Sequence, residues 1–369
     1  MLGKKLLIII GTRPEAIKVA PILLALRGRK DYESLLVLTG QHRELIDPVL
    51  KFFDLIPDYD FNLIEERLTP NEFAGECLKQ MERLLEREGP TTVLVHGDTL
   101  TSTICAFAAF QRGVRVAHLE AGLRTYNKSA PFPEEVNRQI TARIADIHFA
   151  PTSSAKVNLL SEHIDSKDIF VVGNSVLDAL RMAIEILPRY ESDQLQDLKS
   201  RVDFSKKLLL VTGHRRENFG EGLTQICEAL RRLAARGDLQ IICPVHLNPN
   251  VKELVEAELK DIPNIILIEP LGYPEFIWIM KESHLILSDS GGVQEEASFL
   301  GKPLLIAREV TERPEVIANG AAILVGTNAN RIIGAIDGLM KDHGKDSSMS
   351  KAGCPFGDGM TASRVLEVL

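Results

Sequence analysis

The sequence predicts an α/β protein built from two successive doubly wound parallel sheets. Three observations carry that reading. Short runs that are apolar on both strand faces recur along the chain, each followed by an amphipathic helical pattern, the βαβ rhythm of a parallel sheet. The rhythm breaks across a charged stretch at 189–206 and then restarts. The length of 369 residues suits about two domains.

In the first half, strands are expected at 6–10, 35–38, 93–95, 114–119, 147–150 and 169–172. The last ends in Gly173-Asn174, and a helix follows to Leu187. In the second half, strands are expected at 208–211, 241–243, 265–268, 285–287, 304–306 and 323–325. Domains are therefore expected at 1–173 and 174–360, facing a crevice. Composition is ordinary for a globular chain, with 45% hydrophobic and 25% charged residues. The net charge of -8, with no long basic run, argues against a nucleic-acid partner. An anionic ligand must then be met by local cations. The five scattered cysteines form no CxxC pair and read as reduced core thiols. The apolar run at 6–10 is too short for a signal peptide, and no run approaches the ~18 apolar residues of a membrane span. A cytoplasmic protein is expected.

The richest stretch is 118–138, HLEAGLRTYNKSAPFPEEVNR. Glu120 follows the strand at 114–119, at a carboxyl end, where open α/β sheets place ligands. The loop breaks at Pro131 and Pro133, and Glu134 falls in the first turn of the next helix. Arg138 lies one turn further on the same face. Acids and bases at one crevice assemble a proton-transfer site; the plainer alternative is a surface loop with an i,i+4 ion pair.

Other strand ends carry related signals. Gly11-Thr12-Arg13-Pro14 leads from the first strand into a helix, with Arg13 and Lys18 beside a helix start whose dipole disfavours them, a phosphate cradle in outline. Gln41, His42, Arg43 and Glu44 follow the second strand, as a binding loop or a solvated one. Asp98, in HGDT, is either an acid at the crevice or a helix N-cap. His214, in GHRREN, sits in a stretch too polar for a core and suited to phosphate. In LSDSGGVQEE, a strand runs through Ser290, Gly291 and Gly292 into a helix, which would leave the N–H groups of all three free for a diphosphate. Glu296, one turn in, has two oxygens for ribose hydroxyls, and Arg313 offers a further charge. An ordinary Ser-capped helix is the plainer alternative.

The segments GTRPEAIK, TGQHRE, VLVHGDT, HLEAGLRT, FPEEVNR, VTGHRREN, PVHLNPNV, LSDSGGVQEEA, GKPLLI, TERPE and a closing GDG occur in this order. Together they resemble the non-hydrolysing UDP-N-acetylglucosamine 2-epimerases of bacteria and archaea, over nearly the whole chain. The resemblance implies the GT-B fold, two Rossmann-like domains around a central cleft, usually as a homodimer. It implies that the helix at 361–369 crosses back to the first domain. UDP would bind mainly to the second domain. There Ser290, Gly291, Gly292 and Glu296 would hold diphosphate and ribose, Arg13, His214 and Arg313 would surround the phosphates, and Phe276 would meet the uracil. Leu271 stands where members often carry Gln, so a uracil contact there would use backbone. Cys354-Pro355-Phe356 replaces a commoner Asn-Pro-Tyr. Residues Gln41 to Glu44 would bind a second, activating UDP-GlcNAc.

The chemistry implied is reversible conversion of UDP-GlcNAc to UDP-ManNAc for surface polysaccharide precursors. UDP is eliminated across C1–C2 to give 2-acetamidoglucal and then returns. Asp98, Glu120 and Glu134 are the candidate acids and bases, with His214 beside them and Lys18 and Arg138 as binding cations. Neither a metal nor a nicotinamide cofactor is expected. A hydrolysing epimerase releasing ManNAc and UDP, a GT-B glycosyltransferase and a silent nucleotide-sugar sensor are the competing readings.

Overall fold

In the computed structural model the described residues are 4–40, 43–63, 68–213, 218–341 and 343–369, with the backbone alone described at 43–44 and 343–346. The chain forms two compact units, one of Met1–Met182 with Phe356–Leu369 and the other of Ala183–Pro355.

Among its described residues the first unit holds seven strands: β1 (Lys4–Ile10), β2 (Tyr32–Leu38), β3 (Tyr59–Asp60), β4 (Thr92–His96), β5 (Arg115–Leu119), β6 (Ile147–Ala150) and β7 (Ile169–Val171). Its helices are α1 (Arg13–Leu26), α2 (Arg43–Phe52), α3 (Pro70–Glu88), α4 (Leu100–Gln111), α5 (Glu134–Ile144), α6 (Ser153–Ser161) and most of α7 (Ser175–Ile186). All pairings are parallel, in the order β3-β2-β1-β4-β5-β6-β7. Ile8 is opposite Leu36 on one side and Leu94 on the other, so β1 is a central strand, and the successive side chains from Leu6 to Ile10 are all buried, so both faces of that apolar run are covered. One layer of the core joins Leu7, Ile9, Val93 and Val95 to Met81 of α3 and Cys105 of α4. Strand order reverses between β1 and β4, so the carboxyl ends of these two strands flank the sheet's switch point. The pair of residues in β3 escapes the sequence pattern because it has no apolar run of its own and borrows its order from β2.

The second unit repeats the design with β8 (Lys207–Thr212), β9 (Leu239–Pro244), β10 (Ile265–Ile268), β11 (Leu285–Ser288), β12 (Leu304–Ile306) and β13 (Ala322–Leu324). Around them lie α8 (Asp193–Arg201), α9 (Glu221–Ala234), α10 (Pro249–Leu259), α11 (Tyr273–Glu282), α12 (Gly291–Phe299), α13 (Pro314–Ala318), α14 (Ala329–Lys341) and α15 (His343–Lys351). The order is β10-β9-β8-β11-β12-β13, with the switch point between β8 and β11. The stretch at 189–206 is not a bare linker. Ser192 caps α8 by accepting from Leu195 N at 3.0 Å, and Leu195 and Leu198 bury one face of it.

The division falls inside α7, after Met182, and not at Gly173-Asn174. The start of α7 is tied to the first unit by hydrogen bonds. Asn174 N donates to Phe356 O at 2.8 Å, and Asp178 accepts from the N–H groups of Thr361 and Ala362 at 3.1 and 2.9 Å. Asp178 thereby satisfies donors at the start of α16 (Thr361–Val368), whose Val365 and Leu366 are buried in that unit. Among the described residues all five cysteines are free, four of them buried, and no helix is long and apolar enough to cross a membrane.

Candidate active site

The switch point of the first unit gathers its ionisable side chains at the ends of β1, β4 and β5. The β1–α1 turn is held by Glu15, only 1% exposed. Its carboxylate accepts from Gly11 N at 2.8 Å, Thr12 N at 2.7 Å and Thr99 Oγ1 at 2.6 Å. Burial raises its pKa, and those bonds work against the rise. Glu15 therefore ties the β1 turn to the β4 turn. Arg13 opens α1 and Lys18 lies a turn further, with its ammonium on Glu120 Oε2.

Glu120 follows β5 directly and adopts a left-handed backbone with φ of 63°, a conformation costly for a side chain with a Cβ. Besides Lys18, the same oxygen accepts from Asn174 Nδ2 at 2.8 Å. His96 Nε2, at the end of β4, lies 3.9 Å from it.

Asp98 sits in the β4–α4 turn without capping the helix. The cap is Thr99, whose side chain accepts from Ser102 N at 3.1 Å. Asp98 is left for Arg138, whose Nη2 donates to it at 2.5 Å. Its surroundings push its pKa up through burial, and the Arg138 guanidinium opposes that shift.

The loop after β5 crosses Pro131 and Pro133, both preceded by cis peptide bonds, and enters α5 at Glu134. Of the two adjacent glutamates the inner one is Glu135, which is fully buried and accepts from Thr125 N, Tyr126 N and Gln139 Nε2 at 2.9, 3.0 and 2.7 Å. Burial would raise its pKa, but these donors, with Arg138 nearby, hold it below the ordinary carboxylate range. Glu135 thus fixes the loop, and Glu134 is left half-buried one turn before Arg138. Beneath the site, burial lowers His96 to about 4 and His118 to about 3, so both rings are neutral near pH 7. His118 Nε2 donates to Gly97 O at 2.7 Å and steadies the β4 turn.

In the second unit the switch point is the β11–α12 turn. Thr212 and Ser288 join across β8 and β11 through their hydroxyls at 2.6 Å. Ser288 Oγ then accepts from Ser290 N at 3.0 Å, so the expectation of three free N–H groups is corrected: the Ser290 donor is used within the turn. Gly291 and Gly292 open α12, and the Ser290 side chain makes no capping bond, so the N–H groups of these two glycines have no partner among the described residues. A Cβ at Gly291 would lie 2.6 Å from Arg313 Nη1, which explains that glycine. Arg313 is pinned by Nε on Glu295 at 2.5 Å. A Cβ at Gly292 would meet nothing within 4 Å. Glu296 is buried one turn further in.

Phe276 is half-buried on α11, and Leu271 lines a cavity of about 240 Å³ with Gln194, Arg201, Lys252 and Glu269. That cavity lies at the carboxyl ends of β9 and β10, on the sheet edge and away from the switch point. His214, Gln41 and His42, and the side chains of Arg43 and Glu44, lie outside the described residues. Among the described residues no group of three or more His, Cys, Asp or Glu is placed to hold a metal.

Sequence reading assigned no role to Glu15, Asn174 or Glu295. Glu15 had a local signal, the Thr12-x-x-Glu15 spacing of a capping box. Asn174 had none, because Glu120 is far from it in the chain.

A family model described as UDP-N-acetylglucosamine 2-epimerase matches residues 24–369. A UDP-N-acetylglucosamine 2-epimerase of Salmonella borreze is 46% identical over 367 residues, 98% of this chain and 97% of that protein. The enzyme of the same name from Escherichia coli K12 is 45% identical over 370 residues, 99% of this chain and 98% of that one. The crystal structure of UDP-GlcNAc 2-epimerase from Neisseria meningitidis bound to UDP-GlcNAc superposes with a TM-score of 0.91 at 41% identity, covering 99% of both chains.

Proposed function

The chain belongs to the UDP-N-acetylglucosamine 2-epimerase family, with its GT-B-like two-domain α/β fold, and from that premise we propose that it interconverts UDP-GlcNAc and UDP-ManNAc without hydrolysis. The observation that carries the reading is the trio of carboxylates in the first unit. Asp98 and Glu120 stand at neighbouring strand ends, already paired with Arg138 and Lys18, and Glu134 opens the next helix.

The C2 hydrogen of the sugar is too weakly acidic to leave as a free carbanion at neutral pH. In the proposed route a carboxylate takes the C2 proton while the C1–O bond to the diphosphate breaks, and UDP leaves with the bonding pair. The product is 2-acetamidoglucal. UDP then re-adds at C1, and a second group delivers a proton to C2 from the other face. Acid and base must therefore stand in different environments, and the carboxylates here do: burial raises Asp98, whereas Glu120 faces a lysine. In the first unit Arg13, Lys18 and Arg138 are the cations proposed for an anionic substrate. In the second, Ser290, Gly291, Gly292, Glu296 and Arg313 are proposed for UDP, with Leu271 and Phe276 toward the base. His214 completes the acid–base set, and a second UDP-GlcNAc acts as an activator at residues Gln41 to Glu44.

The active form is proposed to be a cytoplasmic homodimer. Helices α4 and α5 are bonded through Thr103 and Thr141 at 3.1 Å. On their outer faces Phe107, Phe110, Val136 and Ile140 are 41, 56, 37 and 43% exposed, an apolar surface suited to a second copy.

Proton NMR of the purified protein with UDP-GlcNAc in D₂O tests the reaction. UDP-ManNAc carrying deuterium at C2, with little free ManNAc, is the expected result. Equal release of UDP and free ManNAc would move the enzyme to the hydrolysing branch, and no turnover would overturn the reading.

A further inference from the structure

Buried at the end of β4, His96 carries a ring nitrogen with no assigned task. The residue is 4% exposed, and Nε2 has no hydrogen-bond partner in the described structure. A buried polar atom left unsatisfied is costly and calls for an explanation. The carboxylate oxygen of Glu120 lies 3.9 Å from it, just beyond hydrogen-bond reach.

The groups around that oxygen come from four elements. Lys18 reaches it from α1, Asn174 from the turn before α7, and His96 from β4, while Asp98 adds its charge from the next turn. His118 lies near His96 on the neighbouring strand β5, with its own Nε2 engaged by Gly97 O. The ammonium of Lys18 and the amide of Asn174 hold Glu120 as it stands. A base that takes a proton and gives it back changes charge during turnover, and its partners must then adjust.

We propose that His96 is a positioning residue for Glu120, its neutral ring donating Nε2–H to the carboxylate when Glu120 moves against substrate. The movement needed is small, about 1 Å to bring 3.9 Å within ordinary N–H···O distance. A neutral donor suits the task better than a second cation. It orients the carboxylate and steadies its ionised form without lowering its basicity as far as another full charge would. Burial keeps His96 unprotonated over the working pH range, so the ring brings no full charge to Glu120. The inference rests on the epimerase reading, since it assigns His96 to a carboxylate used in that reaction.

The test uses the full-length chain as His96→Gln and His96→Leu, with kcat, KM and the pH dependence of kcat for UDP-GlcNAc epimerisation. His96→Leu is expected to lower kcat about tenfold with KM within about twofold of the parent. The limb of the pH profile reporting Glu120 is expected to move up by about one unit, because the ionised carboxylate loses a donor. His96→Gln, which keeps an N–H donor, is expected to recover most of kcat and return the limb.

Equal loss in both variants with an unmoved limb would reduce His96 to a packing residue, and unchanged kcat in both would remove it from the reaction. Should His96→Leu not fold, the parent settles the matter through ¹⁵N NMR of labelled histidine. A protonated Nε2 is required, and hydrogen on Nδ1 alone overturns the proposal. Failure of the epimerase reading is separable: the parent itself would then not turn over UDP-GlcNAc.

Discussion

Replacing Gly292 by alanine separates what the fold needs from what a ligand needs. Gly291 is explained within the protein, since a Cβ there would meet Arg313 Nη1 at 2.6 Å. Gly292 is not so explained: a Cβ would meet nothing within 4 Å, and its backbone is not among those with positive φ. Alanine fits this helical position without strain, so the unliganded Gly292→Ala protein should gain up to about 0.5–1 kcal/mol. In the proposed function a diphosphate oxygen approaches the Gly292 N–H, and the new methyl group enters that space. UDP affinity should then fall at least about tenfold, or ~1.4 kcal/mol. Urea denaturation without ligand gives the first quantity, and calorimetric titration with UDP gives the second. Opposite signs are the signature of a residue kept for its ligand. Unchanged UDP affinity in a stabilised variant would refute the diphosphate assignment at the start of α12.

Glu120→Gln, Glu134→Gln and Asp98→Asn should each slow turnover by ~10² or more while UDP binding stays near the parent value, and loss of UDP binding in all three would point to structural damage instead. Glu296→Ala should weaken UDP binding; titration showing the parent's affinity would remove it from the ribose. Acid should destabilise the protein in a definite window. His96, His118 and His148 are held neutral at about 4, 3 and 4, below the ordinary 6.5, so their contribution is complete above pH 6.5 and is lost as pH falls toward those values. Each adds up to ~1.4 kcal/mol per pH unit, offset in part by Asp98 and Glu15, whose raised pKa values act in the opposite sense. Urea midpoints from pH 7 to 4.5 should show that slope, and His118→Gln should flatten it by about one proton. Phe110→Glu with Ile140→Glu should convert a sedimenting dimer to monomer, and an unaltered dimer would place the interface elsewhere.

Much of this molecule is decided locally. Each long strand declares itself by a run that is apolar on both faces, because a parallel strand between helices has no wet side. Glycine, proline and charge crowd the strand ends because there the backbone must turn and the ligand must be met. The positions of Glu120 after β5, Glu134 in the first turn of α5 and Gly291 at the start of α12 were accordingly legible from chain order alone. What no local pattern held was pairing. That Asp98 meets Arg138 and that Asn174 and His96 converge on Glu120 follow from the parallel sheet, which sets the ends of its strands side by side, whereas the Thr99 cap of α4 and the use of Glu135 by the loop before α5 are contacts between near neighbours in the chain. No local pattern places α16 either, joined to the first unit through Asp178. Periodicity records which face of an element is buried, and is silent on the neighbour it is buried against. Charge partners distant in the chain are chosen only when the sheet brings their strand ends side by side.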